Sequence, residues 1–284
     1  MICRRDLFVM INVGFIGAGN MGFAIMKGIA HSDLCSDVRM YATSTTVRMF
    51  AYDPDNEKIK RLSELGVTPC KSEAEVFKIC KYVFLAVKPQ QLDEVLDSVS
   101  GCTDEDTVIV SICAGITGEY IKSKTSADAK VVLVMPNTPL LLGEGATALS
   151  KVEPCTEDEF KLVCDVFSSC GEIAVIPQDK MKEIIAVNGS SPAFIYLYAQ
   201  AFVDYAKSVG IDEAVAKSLF AKSLIGSAKM ITDSGYTLDE LITMVSSKGG
   251  TTIAGLEKLR EGNLQQTVEN CCKACTKRAY ELSK

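Results

Sequence analysis

Three glycines near the start of the chain have the spacing of a phosphate-binding turn. Gly17, Gly19 and Gly22 form G-x-G-x-x-G within "VGFIGAGNMGFAIMKGIA", after a short apolar strand pattern and before a helical one. In that context the first glycine permits a tight turn, the second lets backbone approach a pyrophosphate, and the third lets helix pack on strand. The motif predicts a dinucleotide site at a helix N-terminus. The alternative is an ordinary tight turn, or a nucleotide fold that has lost its ligand.

One acidic residue is placed where it could select the cofactor. Asp53 ends the second predicted strand, in "FAYDPD", later than the usual spacing of about 20 residues because of an extra segment, 31–45. A carboxylate there hydrogen-bonds ribose hydroxyls and repels a 2′-phosphate, which favours NADH over NADPH. The alternative is a turn aspartate before Pro54 with no ligand role.

A second glycine-rich loop, "SSKGGTTIAGL" at 246–256, also opens a helical pattern. Gly249 and Gly250 allow backbone N–H groups to point at a ligand, and Thr251 and Thr252 add hydroxyls at the positive helix end. The loop predicts binding of a small carboxylate. The alternative is a turn between helices that Thr251 caps, but two anion sites in one chain favour a substrate pocket.

The chain offers little general-acid chemistry for hydride transfer to a ketone. Its one histidine, His31, falls at the far end of the first predicted helix, away from the strand ends where ligands bind. Hydroxyacid dehydrogenases of similar layout carry Lys and Asn one turn apart, whereas here Lys182 is followed four residues later by Ala186. The pattern favours a protonated imine, which already carries the charge that attracts hydride.

Composition, charge and cysteine distribution limit the classes of binding partner and indicate the cellular compartment. The 284 residues are 48% hydrophobic with a net charge of −6, so a nucleic-acid or anionic-membrane partner is not expected. The twelve cysteines are scattered and "MICRRDLFV" is no signal peptide, which predicts reduced thiols in the cytoplasm, with Met10 a candidate natural start. "CCKAC" lacks the further ligands of a zinc site, so no metal is predicted.

The elements that must position these residues fall into two groups. From residue 13 to about 175, short β-rich runs alternate with helical patterns, which predicts an α/β fold with a parallel sheet, a Rossmann-type dinucleotide-binding domain at 1–177. After Pro177 only helical patterns remain, which predicts an all-α helical domain for substrate binding and dimerisation at 178–284. "AFIYLYAQAFVDYA" is interrupted before about 18 apolar residues accumulate, which predicts a buried helix between neighbours rather than a membrane span. A subunit interface is one way to cover such a helix, so a homo-oligomer is expected.

Several motifs in this order resemble the pyrroline-5-carboxylate reductase family: "GFIGAGNMG", "FLAVKPQ", "VSICAGIT", "MPNTPLLLGEGATAL", "NGSSPAF", "GSAKM" and "SSKGGTTIAGLEKL". The resemblance covers nearly the whole chain from Met10. It implies reduction of 1-pyrroline-5-carboxylate to L-proline with NADH or NADPH, the last step of proline biosynthesis, by a homodimer or higher homo-oligomer.

The resemblance also implies roles for individual residues. The pyrophosphate would be held by Ile16, Gly17, Ala18, Gly19, Asn20, Met21 and Gly22. The rest of the cofactor would be lined by Ala86, Val87, Lys88 and Pro89, and its nicotinamide side by Ile112, Cys113, Ala114, Gly115 and Asn137. The substrate would be bound by Gly249, Gly250, Thr251 and Thr252, with the Thr252 hydroxyl near the imine as the catalytic group. In isolation, "FLAVKP" and "VSICAG" are also typical of buried strands that end in turns.

The chain departs from the family in three places. Lys248 stands where proline is common, Asp53 stands where relatives that use NADPH often have a small hydroxyl residue, and segment 31–45 is longer than usual. Two other functions stay open: a reductase of another cyclic imino acid or of a hydroxyacid, and a non-catalytic dinucleotide-sensing protein. The intact "GGTT" speaks against a sensor, and the missing Lys/Asn pair speaks against a hydroxyacid.

Overall fold

The computed structural model describes residues 9–35 and 45–283, so most of segment 31–45 lies outside the described residues. Eight strands form one sheet in the order β3-β2-β1-β4-β5-β6-β7-β8. The strands are β1 (Val9–Ile16), β2 (Thr45–Tyr52), β3 (Thr68–Pro69), β4 (Tyr82–Leu85), β5 (Val108–Ser111), β6 (Lys130–Met135), β7 (Gly145–Val152) and β8 (Gly171–Val175). The strand order reverses direction between β1 and β4, which creates the crevice where such sheets bind ligands.

The helices confirm the predicted change of class along the chain. Those that alternate with the strands are α1 (Asn20–Ala30), α2 (Asn56–Lys60), α3 (Glu73–Ile79), α4 (Leu92–Ser98), α5 (Gly118–Lys124) and α6 (Glu157–Ser168). Those that follow the last strand are α7 (Ser191–Ser208), α8 (Glu213–Asp233), α9 (Leu238–Met244), α10 (Thr251–Glu261) and α11 (Leu264–Glu281). The fold is a Rossmann-type α/β domain followed by helices.

The sheet is mainly parallel, as predicted, but one pairing is antiparallel, so its last two strands run opposite to the other six. β7 pairs antiparallel with β6, with Met135 opposite Ala148, whereas β8 is parallel to β7. The connection from β6 to β7 spans only residues 136–144. A parallel crossover needs about a dozen residues or more, so the short link forces the reversal.

Both faces of the sheet are buried, which fixes the ends of the strands. Alternate side chains of one strand enter different apolar clusters: Phe15 packs on the α1 face and Ile16 on the opposite face. The Phe15 ring stacks on Phe84 of the neighbouring strand with centroids 4.7 Å apart. Full burial of one such side chain contributes about 1.5–3 kcal/mol. The continuous apolar runs in the sequence reflect this two-sided burial.

The chain forms two compact units that differ from the predicted domain boundary. The sheet-containing unit extends to Ser190 and also includes the chain from Cys275 onward, while residues 191–274 form the helical unit. Met181 and Ile185 explain the extension, because both are buried in the apolar cluster beneath the sheet. The division of roles at 177/178 stays a prediction.

Helix α7 is not buried within a single chain, contrary to the expectation from its apolar sequence. Tyr196, Leu197 and Tyr205 are 62%, 74% and 67% exposed. An apolar surface of this kind is typical of a protein–protein interface, which agrees with the predicted subunit contact. None of the described helices has the length and apolarity needed to cross a membrane.

A buried ion pair joins the start of α6 to the start of β6. Thr156 and Glu159 form a capping box, and the Glu159 carboxylate lies 2.8 Å from Lys130 Nζ with its side chain 9% exposed. Burial raises the pKa of Glu159, but the bonds from Lys130 and Thr156 outweigh it, so the net pKa is lowered. The ionised carboxylate therefore stabilises the fold.

Glu159→Gln keeps a residue able to cap the helix but removes the charge, and we expect it to lower the free energy of unfolding at pH 7 by about 1.5–3 kcal/mol. Because the folded-state pKa is lowered, the stabilisation is present above the unfolded pKa near ~4.3 and is lost as pH falls through the folded value. Denaturant titrations at several pH values should show the two proteins converging in acid. The exposed pair of Glu157 with Lys151 gives the control, Glu157→Gln, with a cost of about 0–1 kcal/mol. A constant difference between Glu159→Gln and the wild type down to pH 3 would contradict this account.

Candidate active site

The first glycine turn fits so closely between strand ends that two of its positions exclude a side chain. Gly17 has φ +100°, and its N–H donates to the Tyr52 carbonyl at 2.8 Å. A Cβ on Gly17 would lie 2.6 Å from the Ala86 carbonyl oxygen, and one on Gly22 would lie 2.4 Å from the Gly17 carbonyl oxygen. The turn is thus fixed at the carboxyl ends of β2 and β4.

Gly19 is the open position of the same turn. It is the N-cap of α1, and a Cβ there would have no atom within 4 Å. The glycine is therefore not required by contacts with the described protein atoms. An extended ligand close to the backbone, such as a pyrophosphate, would require it, so the turn fits a dinucleotide.

The helix starts at the two glycine loops lack the side-chain cap that most other helix starts have. Side chains cap α2, α3, α5, α6, α8 and α9, through Asp55, Ser72, Thr117, Thr156, Asp212 and Thr237. By contrast α1 and α10 begin after glycine N-caps with no side-chain hydrogen bond. The start of α4 also lacks one, but α4 continues a 3-10 turn at Pro89–Gln91. The first-turn N–H groups of α1 and α10 are therefore left to bind an anion.

The second loop has the same construction in the helical unit. Gly249 has φ +73°, and a Cβ on Gly250 would lie 2.4 Å from Ser247 Oγ. Because Gly250 is the N-cap of α10, the alternative in which Thr251 caps the helix is wrong. Thr251 and Thr252 occupy the first turn of α10 and are exposed; their role in binding a substrate stays a prediction.

Asp53 is 7% exposed and connects the glycine turn to the chain after β2. Its Oδ2 accepts the Ala18 N–H at 2.8 Å, its Oδ1 accepts the Asp55 N–H at 2.9 Å, and Lys58 Nζ lies 3.2 Å from Oδ1. The bond to Asp55 is the turn chemistry of the alternative interpretation, and the bond to Ala18 brings the carboxylate to the dinucleotide turn. The turn role of Asp53 is therefore confirmed, whereas its role in binding the ribose stays a prediction.

Two further loops follow neighbouring strands, Ala86–Pro89 after β4 and Ile112–Gly115 after β5. The Cys113 thiol joins them, since it donates to the Val87 carbonyl at 3.3 Å. Burial raises the pKa of Cys113 to about 12, so the thiol stays protonated and keeps this bond. The "FLAVKP" and "VSICAG" motifs therefore form one continuous edge beside the glycine turn.

Asn137 holds the wall that follows β6. Its Oδ1 accepts the Ala146 N–H at 2.9 Å, and its Nδ2 donates to the Asn188 carbonyl at 3.2 Å. Asn188, which sequence reasoning did not single out, donates in turn to the Met135 and Ala146 carbonyls at 2.7 and 2.9 Å. These amides fix the β6–β7 connection; no periodic pattern in the sequence marks such a role.

A cavity of about 580 Å³ lies at the carboxyl ends of β5 and β6. Its lining includes Cys113, Gly115, Met135, Gln178, Lys182 and Tyr280. In the sequence, Lys182 is notable only because no Asn follows it one turn later, and no pattern marks Tyr280. In the described part of the chain, no group of three or more acidic, histidine or cysteine side chains could hold a metal ion.

The predicted site residues thus lie in two places. Residues 16–22, 53, 86–89, 112–115 and 137 line the carboxyl edge of the sheet, while residues 249–252 lie in the helical unit. His31 is remote from the glycine turn, at the C-terminal end of α1, where its Nδ1 lies 2.7 Å from the Lys27 carbonyl oxygen.

Known proteins resemble this chain over nearly all its length. A family model described as pyrroline-5-carboxylate reductase dimerisation matches residues 178–282, and one described as NADP oxidoreductase, coenzyme F420-dependent, matches residues 12–115. Pyrroline-5-carboxylate reductase of Escherichia coli is 32% identical, covering 96% of this chain and 98% of the relative; pyrroline-5-carboxylate reductase 3 of Danio rerio is 32% identical, covering 98% and 93%. The crystal structure of Plasmodium falciparum pyrroline carboxylate reductase with NADP bound has a TM-score of 0.83 at 28% identity, covering 96% and 98%.

The contrast between Gly19 and Gly22 yields a paired test of the turn. Gly19→Ala should fold with stability within about 0.5 kcal/mol of the wild type but raise the Kd for a nicotinamide dinucleotide tenfold or more, about 1.4 kcal/mol. Gly22→Ala should instead lose about 1–3 kcal/mol of stability through overpacking. Fluorescence titration with NADH and denaturant unfolding measure the two effects. Unchanged dinucleotide affinity in a folded Gly19→Ala would show that the ligand does not approach this turn.

Proposed function

The chain belongs to the pyrroline-5-carboxylate reductase family, and we propose that it reduces 1-pyrroline-5-carboxylate to L-proline with NADH or NADPH as hydride donor. The observation that carries the proposal is the pair of glycine-capped helix starts, at Gly19 and Gly250, that no side chain caps. One fits a dinucleotide pyrophosphate and the other a small carboxylate.

Each group of residues has a distinct task in this reaction. The N–H groups of residues 19–22 hold the pyrophosphate, since those of Gly17 and Ala18 already donate to Tyr52 and Asp53. The edge formed by Ala86–Pro89 and Ile112–Gly115 orients the nicotinamide. When bound, the dihydronicotinamide supplies the hydride that converts the protonated C=N bond of the substrate into the C–N bond of a secondary amine. Gly249, Gly250 and Thr251 hold the substrate carboxylate. The Thr252 hydroxyl donates to that carboxylate, or to the ring nitrogen as the arriving hydride gives the nitrogen a lone pair.

The reaction explains why the site needs no histidine. A protonated imine already carries positive charge on nitrogen, so no acid must protonate a forming alkoxide. His31 is exposed and has no part in the proposed chemistry. The protein's contribution is orientation and placement of charge.

The purified protein tests the proposal directly. NADH or NADPH oxidation should be fast with 1-pyrroline-5-carboxylate and slow with its six-membered homologue, and a hydroxyacid with NAD⁺ should give none. Preference for the six-membered ring would change the substrate but keep the reaction class. Dinucleotide binding without oxidation on any of these would favour a sensing protein and overturn the proposal.

We propose a homo-oligomer in the cytoplasm as its working form. The exposed apolar residues of α7 support self-association, as does the match of residues 178–282 to a dimerisation model. Free thiols support a reducing compartment, because all cysteines in the described ranges are unpaired.

Asp53 supports a preference for NADH. Its carboxylate is held beside the glycine turn, and Asp55 and Glu57 add negative charge near it, while Lys58 and Lys60 pair with these acids. Of these charges, the Asp53 carboxylate contacts the glycine turn, and a carboxylate there disfavours a 2′-phosphate.

Asp53→Ser should raise the ratio of kcat/KM with NADPH to kcat/KM with NADH about tenfold, which is about 1.4 kcal/mol. The ratio isolates charge, because loss of the bond to Ala18 affects both cofactors. Asp53→Asn keeps the side-chain shape and should move the ratio in the same direction, whereas Lys58→Gln should move it the other way. A wild type that prefers NADPH, with a ratio unchanged in both Asp53 variants, would show that the Asp53 carboxylate does not select the cofactor.

Thr252→Val keeps β-branching but removes the hydroxyl donor. We expect kcat/KM to fall about tenfold to a hundredfold, because a hydrogen bond to a charged group is worth about 1.5–3 kcal/mol, with folding and NADH affinity retained. Thr232→Val is the matched control, because it removes a threonine hydroxyl that bonds within its own helix, α8, away from the glycine loop, and it should leave kcat/KM unchanged. Steady-state kinetics and denaturant unfolding of both variants check this, and near-normal kcat/KM in folded Thr252→Val would remove the residue from the mechanism.

A further inference from the structure

The last turns of α11 return to the sheet-containing unit and are attached there at several points. Cys275 Sγ lies 3.2 Å from Ser190 Oγ, and Ala279 is buried in the same apolar cluster as Cys113. The Tyr280 hydroxyl donates to Glu183 Oε1 at 2.7 Å. Residues from Cys275 onward belong to this unit, so the contacts lie within one compact body.

The same turn lies against the loop that follows β5. Gly115 has φ +79°, and a Cβ on it would be 3.4 Å from the Ala279 carbonyl oxygen and 3.8 Å from the Leu282 carbonyl. A side chain at position 115 would therefore strain the backbone and would also press against the end of α11. The loop proposed to line the nicotinamide is therefore backed by the chain's own C-terminal turn.

Tyr280 is the polar anchor of that turn. Lys182 Nζ lies over its ring, 4.7 Å from the centroid. Both side chains line the 580 Å³ cavity, together with Cys113 and Gly115. Glu183 Oε2 is buried and has no hydrogen-bond partner among the described residues. The Tyr280 hydroxyl supplies a bond to the other oxygen of this carboxylate, and that bond raises the pKa of Tyr280, which stays a neutral donor.

We propose that the C-terminal turn, residues 279–282, is a positioning element for the loop Ile112–Gly115, and that Tyr280 is the positioning residue that fixes it through Glu183. The inference rests on the proposed function, because it assigns the loop to the nicotinamide side. Small displacements of a group that orients the hydride donor reduce turnover strongly, since a 1 Å misplacement can cost about a hundredfold. The turn thus couples the end of the chain to the reacting edge of the sheet.

Tyr280→Phe tests the proposal in the full-length protein with 1-pyrroline-5-carboxylate and C4-deuterated cofactor. We expect kcat to fall about threefold to tenfold and the primary deuterium isotope effect on kcat to rise, because hydride transfer becomes slower relative to the other steps. Cofactor Kd should change less than about twofold, because the pyrophosphate turn is untouched. Glu183→Gln, which keeps an acceptor for Tyr280, should retain most of the wild-type kcat.

Arg278→Gln is the matched control, because it breaks an exposed ion pair with Glu281 in the same turn and should leave kcat and the isotope effect unchanged. Wild-type kcat and isotope effect in Tyr280→Phe, or equal slowing in Arg278→Gln, would overturn the proposal. Should Tyr280→Phe fail to fold, Glu183→Ala breaks the same hydrogen bond, and the same readouts decide. An inactive wild type would instead count against the proposed function itself.

Discussion

The left-handed conformation of Gly17 is the constraint on which the site depends. It lets the chain leave β1 directly beneath the Ala86 carbonyl, where no side chain fits, and enter α1 at the sheet edge. The Tyr52 carbonyl accepts the Gly17 N–H, and the Asp53 carboxylate accepts the Ala18 N–H. The ends of β1, β2 and β4 are thereby held together where the strand order reverses, the place at which this fold binds dinucleotides.

The helix starts reflect a division between stability and binding. A side-chain cap is worth about 1 kcal/mol, and six helices carry one, yet α1 and α10 begin after glycines with none. Glycine at an N-cap is only a few tenths of a kcal/mol worse than a capping side chain, so the fold loses little. The first-turn N–H groups remain available to an anion, and this is the basis of the proposed pyrophosphate and carboxylate sites.

Local patterns in the sequence predicted the glycine turns, the strands and the change to helices, because each rests on spacing within a few residues. The antiparallel direction of β7 was not predicted, because it depends on the length of the connection after β6, which the β-rich run itself does not carry. The burial of α7 was wrong for a single chain, since an apolar helix looks the same whether a core or another subunit covers it. The bonds from Cys113 to Val87 and from Tyr280 to Glu183 join residues distant in sequence, and no local period reveals them.

The central claim is that a dinucleotide held at the Gly17 turn delivers hydride directly to the imine carbon. Incubation with 1-pyrroline-5-carboxylate and NADH carrying deuterium at one or the other C4 position, followed by mass and NMR analysis of the product, tests it most directly. The account predicts L-proline with one deuterium at C5, transferred from only one of the two C4 positions. Proline without label from either cofactor, or cofactor oxidation without proline, would contradict it.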